Sequence, residues 1–352
     1  MRKRSGIKLA GLLTAAGLLF PGSGLAVSPG PEIENALSGI VIGSPVAYRN
    51  LAIWPLLSRE GGVGRDYLTL DYALENGLLR IEEKNGGSVP EVTTVNLSSR
   101  PVFIFAGEII AGARQDRIVR RDTLLAPCGG RMSLAVYCVE QGRWHGRSNS
   151  FEASGYNAPA RLRQLAQLGA DQAEIWSGVR AKNTALGVAP TTGTLKAAYE
   201  GDKYREDFED YARQFTRIPE MLPGTVGVAV TAGGEIVCVD IFGSSALFRA
   251  EWAKLLKSYI ADGLAFPRAG RPADRAEIRA FLARIRCPAA LEKEQGVSLG
   301  ENVLLNWPGG VAAGLLNRGG LVHLSAFPRE GAGPVPVRGR VGSVGTRSNL
   351  SR

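Results

Sequence analysis

Between Gly107 and Trp144 the chain reads GEIIAGARQDRIVRRDTLLAPCGGRMSLAVYCVEQGRW, with charged and amide side chains crowded around two apolar runs. Glu108, Asp116 and Glu140 can serve as general acid or base, because carboxyls in unlike environments have their proton affinities pushed apart. Arg114, Arg117 and Arg143 can fork onto a carboxylate or a phosphate. Gln115 and Gln141 can read amide or hydroxyl groups, and Gly107 and Gly112 let backbone approach a ligand closely. Trp144 reads as core or as a lid. The same residues also suit a role without any ligand: buried charges must pair, and arginines beside glutamates at strand ends can form a salt network that fixes hairpin register. Three functions stay open. They are a ligand pocket, with Arg117 and Arg143 clamping an anionic group oriented by Glu108 and Glu140; a hydrolase with Glu108 and Glu140 as acid and base; and a non-catalytic scaffold.

Other chemistries lack their residues. Histidine is limited to His145 and His323 and no two cysteines are closely spaced, so neither a structural zinc nor a histidine-rich catalytic metal site is expected. No GxSxG elbow occurs, and no Ser-His-Asp set stands out. The glycine loop REGGVGRD, residues 59–66, lacks the Gly-Lys-Ser/Thr ending of a phosphate loop and reads as a connection. His323 alternates with Val322 and Leu324 and reads as structural, while His145 reads as a solvated loop residue. Cys138 and Cys238 sit in the strand patterns AVYCVE and IVCVDIF and read as buried thiols, with a bridge between them as the alternative. Cys128, about 30 Å from Cys138 along an extended chain, is not expected to pair with it. No cofactor is indicated.

The elements that must position these groups follow from hydrophobic period and turn chemistry. Residues 27–35 read as a loose lead-in, followed by strand, turn and strand through LSGIVIGSPVAYRNLAIWPLL. Thr69 can cap a short helix that Gly77 stops. LLRIEE and EVTTVNL are strands, and Val102 to Phe105 is apolar without a polar face, as in a strand covered on both sides that ends at Glu108. A hairpin runs from about Arg117 to Leu125, turns at Pro127 to Gly130, and returns from Met132 to Val139. On the returning strand Leu134, Val136, Cys138 and Glu140 share a face.

After Pro159 the period lengthens to that of helices, through Leu162, Leu165, Ala166, Trp176 and Val179, then Tyr204, Phe208, Tyr211 and Phe215. A hairpin with a glycine turn, GTVGVAVTAGGEIVCVDIFG, feeds a helix. Phe248, Trp252, Leu255, Leu256 and Tyr259 form its buried stripe, and Arg249, Lys254 and Lys257 its wet one. A further helix spans about Asp274 to Ile285, and a hairpin turning at Asn317 to Gly320 closes the ordered chain.

The chain of 352 residues carries a formal charge of +9, but most of it lies at the ends. Residues 1–26 hold four basic and no acidic residues, and residues 329–352 hold five arginines and one glutamate. The body between is near neutral and has no footprint for nucleic acid. Residues 1–26 have the form of a secretory signal: Arg2, Lys3 and Arg4, an apolar run from Leu9 to Phe20, and small residues at Gly24 and Ala26. That run is too short to span a bilayer. An exported protein is expected, periplasmic or secreted, with no membrane span after cleavage. Residues 27–328 read as a single α+β domain, β-rich and sandwich-like to about residue 145 and helix-rich with further hairpins afterwards. Residues 329–352 read as a disordered basic tail.

The segments YLTLDYALENG, GSVPEVTTVN, RPVFIFAGEIIAGARQDR, YCVEQGRW and VDIFGSSALFRAEWAKLLKSY resemble the domain family named for its association with ADP-ribosylglycohydrolases, rhodaneses and phosphatases. The likeness runs from about residue 38 to 327. It implies that Glu108, Gln115, Asp116, Arg117, Glu140, Gln141, Arg143 and Trp144 match the family pattern, with Ala113 and Arg114 standing where a glycine and a lysine are expected. The family's associations point towards NAD or ADP-ribose derivatives; a secretory signal departs from that setting.

A cleaved signal makes a direct prediction: the intact mass of protein recovered after export corresponds to a chain starting at Val27. An exported chain that retains residues 1–26 removes the cleavage assignment, and a chain found only inside the cell removes export.

Overall fold

The computed structural model describes residues 27–58, 66–84, 90–146, 148–266 and 273–329. The signal-like segment, most of the 59–66 loop and the basic tail after Arg329 lie outside the described residues. The expected loose lead-in is instead a helix, α1 (Pro31–Ser38). Proline is tolerated in its first turn, where an N–H would be unpaired anyway, and Ile33 and Leu37, one turn apart, are buried against the sheet.

Strands β1 (Ile40–Ile42), β2 (Val46–Tyr48) and β3 (Leu51–Ser58) follow as the alternation predicted. β4 (Leu68–Thr69) leads into α2 (Leu70–Glu75), with Thr69 at the N-cap position and Gly77 in a left-handed conformation after it. β5 (Leu79–Glu83), β6 (Glu91–Asn96) and β7 (Val102–Ile104) come next, then β8 (Glu108–Gly112), β9 (Arg117–Val119), β10 (Thr123–Leu125), β11 (Met132–Cys138) and β12 (Phe151–Asn157). Helices α3 (Ala160–Gln167), α4 (Gln172–Ala185), α5 (Ala197–Glu200), α6 (Asp202–Phe215) and α7 (Ile218–Met221) precede the hairpin β13 (Thr225–Ala232) and β14 (Glu235–Phe242). Then come α8 (Ser245–Ala265), α9 (Arg275–Arg286), β15 (Ala290–Gln295), β16 (Glu301–Trp307), β17 (Gly310–Asn317) and β18 (Gly320–Pro328). Asp274 closes a capping box with Glu277 on α9, and Asp171 does the same with Glu174 on α4.

These strands form an α+β body of three sheets. The largest is antiparallel, in the order β1-β3-β13-β14-β18-β17-β16-β15, with β2 also paired to β3. A six-stranded sheet runs β12-β8-β9-β11-β6-β5, and a short one runs β10-β7-β4. The β-rich first half therefore does not stand apart, because β3 is hydrogen-bonded to β13 along its length.

Two sequence expectations fail here. The expected hairpin from Arg117 to Val139 divides: β11 pairs with β9 through Val136 and Val119, whereas β10 leaves to pair with β7. The cause is Asp122 in the bend between them, whose buried carboxylate accepts from Ala106 N at 2.8 Å and binds His323 Nδ1 at 2.6 Å. Glu108 does not end the buried strand either. β7 stops at Ile104, the chain turns through Gly107 at φ 90°, and Glu108 opens β8 in a different sheet.

Helices α3 to α8 bury their apolar stripes on one face of the large sheet, and α1 and α9 cover the other. All four cysteines are free, Cys138 and Cys238 being buried, so no bridge joins them. In the middle of the first core lies a charge cluster. Arg163 from α3 forks onto Asp240 of β14 at 2.8 and 2.9 Å, and neither side chain is exposed. Tyr259 and Ser325 donate to the same carboxylate at 2.5 and 2.6 Å. His323 lies between Asp122 and Asp240, with Nε2 3.5 Å from the latter.

Burial alone would depress the His323 imidazolium, but the two carboxylates outweigh it and raise its pKa to about 9. Burial likewise disfavours the Asp240 carboxylate, and Arg163 with His323 outweighs that, holding it far below its usual range. A raised histidine stabilises the fold fully below its unfolded value, about 6.5, and that contribution disappears as pH rises through the folded value. Thermal unfolding midpoints should therefore fall between pH 6.5 and 9, by an amount on the order of 3 kcal/mol in stability. The slope should flatten in His323→Gln. A wild-type midpoint independent of pH across that window would show the imidazole to be neutral.

Candidate functional site

The residues singled out by sequence separate into two places. Glu108 is fully buried; its Oε2 accepts from Phe105 N at 2.8 Å and its Oε1 binds Lys254 of α8. Lys254 was expected on the wet face of its helix, yet it is buried, with Glu251 at 3.0 Å and Asp71 at 3.3 Å. Burial raises the Glu108 carboxyl well above its usual range, against the opposing pull of Lys254, and the Glu251 carboxyl is raised for the same reason. The cluster ties α8 to α2 and β8, and Glu108 is not among the residues lining the cleft that contains Glu140.

That cleft has a volume of about 360 Å³ and lies where β8, the segment after β11 and the loop before α5 meet. Asp116, Glu140 and Arg143 converge in it, joined by Thr194, Lys196 and the rim residues Glu152 and Glu200. Local turns account for the convergence. Gly112 at φ 111° and Ala113 at φ 43° reverse the chain after β8, and Asp116 Oδ1 accepts from Gly112 N at 3.0 Å to hold the turn. A Cβ at Gly146 would stand 1.7 Å from Ala113 O, so the segment carrying Arg143 packs backbone to backbone on this turn. Glu140 bridges to Thr194 in antiparallel fashion, and Gly142 N donates to Thr192 O at 2.8 Å.

The Arg143 guanidinium is committed to the protein. Nε donates to Glu140 Oε2 at 2.8 Å, Nη1 to Ala113 O at 2.9 Å and His145 O at 3.2 Å, and Nη2 to Asp116 Oδ1 at 3.1 Å and Gly112 O at 3.3 Å. All five N–H donors are thereby used. Asp116 N also donates to Glu140 Oε2 at 3.1 Å, and Thr194 Oγ1 to Asp116 Oδ2 at 3.4 Å. Among the described residues Glu140 Oε1 accepts no hydrogen bond. Burial raises the Asp116 carboxyl; the Gly112 N–H opposes this, the Glu140 charge adds to it, and Lys196 and Arg143 oppose it in turn.

Arg117 is not in the cleft. It is fully buried beneath it, donating to Gln115 Oε1 at 2.8 Å and lying 3.7 Å from Glu83, while Gln115 Nε2 donates to Glu140 O at 2.9 Å. Arg114 lies over the half-exposed Trp144 ring, 5.8 Å from its centroid. Gln141 is exposed and accepts from Arg180 at 3.2 Å. Thr194 and Lys196, in the APTTGTLK connection, are not among the residues whose types and spacing stood out in the sequence. No period or spacing marked them, and only pairing with the segment after β11 brings them in.

A second constellation, Asp122, His323 and Ser325, has the order of a hydrolytic triad, with His323 Nε2 3.4 Å from Ser325 Oγ. It cannot act as one. All three are buried, the carboxylates of Asp122 and Asp240 raise the imidazole's pKa and so favour a cation that cannot accept a proton, and Ser325 directs its proton to Asp240. Among the described residues no cluster of His, Cys, Asp and Glu is arranged to hold a metal ion, and no helix is long and apolar enough to cross a membrane.

Comparison with protein families matches residues 39–327 to the ARG and Rhodanese-Phosphatase-superfamily-associated protein domain. No curated protein and no solved structure matches the chain.

Arg143→Ala would leave Asp116 and Glu140 facing each other without their shared cation. The expected loss is roughly 2 kcal/mol in urea unfolding, less than for a fully buried pair because the side chain is 22% exposed. Arg143→Lys should restore only part of it, since an ammonium cannot reach two carboxylates and three carbonyls together. Equal stability of all three proteins would mean that the network holds nothing.

Proposed function

The chain belongs to the ARG and Rhodanese-Phosphatase-superfamily-associated protein domain family, and from that premise we propose that it is a ligand-binding domain whose site is the Asp116–Glu140–Thr194 cleft. The carrying observation is the saturation of Arg143. An anion clamped by Arg117 and Arg143, as the residue types suggested, would find the first buried beneath the cleft and the second already spent on protein acceptors. What the cleft offers instead is acceptors: Glu140 Oε1, and Glu152 and Glu200 at the rim. The ligand that suits them presents hydroxyl or amine donors, as a sugar does. Lys196, whose Nζ is 3.8 Å from Glu200, can turn to an anionic substituent on the same molecule. Export through residues 1–26 is part of the same proposal.

One observation favours a second reading. The Asp116 carboxyl is raised by burial and by the adjacent Glu140, which is how an acid and a base are separated in a hydrolytic pair. In that case Asp116 protonates the leaving oxygen of the scissile bond while Glu140 takes a proton from the water that attacks the other side of it, in place of the Glu108 and Glu140 pairing that the sequence suggested.

The test is calorimetric titration of the mature protein with sugars, sugar phosphates, nucleotides and organic acids. Binding of a hydroxyl-rich member is expected, weakened about tenfold or more in Glu140→Gln, since an acceptor lost to a donor group is worth about 1.5–3 kcal/mol. Turnover of a bound glycoside that vanishes in Asp116→Asn while binding persists would select the hydrolase. Silence across the panel would leave the Arg143 network as scaffold.

A further inference from the structure

Away from the cleft, a cavity of about 90 Å³ enters the molecule beside β15, the edge strand of the large sheet. Gln167, on the last turn of α3, lines it and is 4% exposed. Both its amide oxygen and its amide nitrogen are buried and have no hydrogen-bond partner among the described residues. Leaving a buried donor and acceptor unmade costs roughly 1–3 kcal/mol each. The neighbouring glutamine shows the contrast: Gln164 donates to Pro328 O at 3.0 Å and accepts from Arg161.

Most other polar groups around the cavity are engaged, the exception among the described residues being the exposed carboxylate of Glu292 at the mouth, which disfavours an anionic ligand. Asn302 Nδ2 donates to Asp122 O at 2.9 Å, the Asp122 carboxylate holds Ala106 N and His323, and Arg121 is paired with Glu294. Lys293 is paired with Glu301 at 2.8 Å. The cations at the mouth are thus both neutralised, while the amide inside has an open donor beside an open acceptor. The remaining wall is apolar, from Val303, Leu304 and Ala313.

We propose that this cavity is a binding site for a small uncharged molecule that presents a hydrogen-bond donor and acceptor side by side, a carboxamide or lactam edge, paired head to tail with the Gln167 amide. Two bonds of this kind satisfy both orphaned atoms at once, as when a glutamine amide reads a base edge. Water suits the space less well. Waters against the apolar wall of Val303, Leu304 and Ala313 would lack part of the two to four partners they need.

The site is separate from the Asp116–Glu140 cleft, and its test is independent. ¹⁵N-labelled protein is titrated with 2-pyrrolidone, with acetate as the charged comparison. A saturable shift is expected in the Gln167 side-chain amide and in the Gly314 backbone amide, with the affinity read at Gly314 falling at least tenfold in Gln167→Met and remaining unchanged in Glu140→Gln. Gln167→Met should unfold no earlier than wild type, because it removes unpaired polar atoms while keeping the chain's length. Should that variant fail to fold, Ala313→Leu narrows the cavity without touching the amide and must weaken the same titration. No saturable shift, equal binding of acetate, retention of binding in the variant that folds, or ordered waters that 2-pyrrolidone does not displace would each overturn the proposal.

Discussion

The fork of Arg163 onto Asp240 is the interaction on which the rest of the structure depends. Two charges with no exposure are tolerated only when nearly every lone pair and proton is met, and here that requirement recruits Tyr259 from α8, Ser325 and His323 from β18, and through His323 the Asp122 bend. The rings of Phe105 and Phe327 lie 5.3 and 5.4 Å from the guanidinium carbon. A helix, the large sheet and the start of the small sheets are thus fixed by one polar cluster.

That cluster also explains the Gly-Glu pair that opens the candidate stretch. A Cβ at Gly107 would sit 2.5 Å from Arg163 Cγ and 2.9 Å from Asn157 Oδ1, in a backbone region that side chains disfavour. Glu108, the next residue, then faces α8 and takes Lys254. Two neighbours that read as a ligand-approach glycine and a catalytic acid are instead the joint between the sheets and helices α3 and α8. The cleft lies further along, at the turn after β8, and Arg143 closes its floor by spending every donor on Asp116, Glu140 and three carbonyls.

Much of the fold was legible because periods are local. The hairpin of β13 and β14 about its glycine turn, the stripe Tyr204, Tyr211 and Phe215 on α6, and the amphipathic period of α9 all depend on residues a few positions apart. Of the cleft residues, Asp116, Glu140 and Arg143 were among those the sequence singled out, though it paired Glu140 with Glu108 and Arg143 with Arg117; two short turns bring the three together. Thr194 and Lys196 were not singled out, because a bridge across more than fifty positions leaves no mark on spacing.

Sequence by itself determined the α+β class, the family, most helices and hairpins, and the concentration of polar groups between Gly107 and Trp144. Tertiary structure alone decided their roles. Burial is a property of what packs against a residue, so Lys254 on a nominally wet stripe became the partner of Glu108, and Arg117 became a buried support. The stretch looked like one site because its residues are consecutive; the sheets part at Gly107 and again at Asp122, and charge pairing across those breaks assigns Glu108 to the core and Asp116, Glu140 and Arg143 to the cleft.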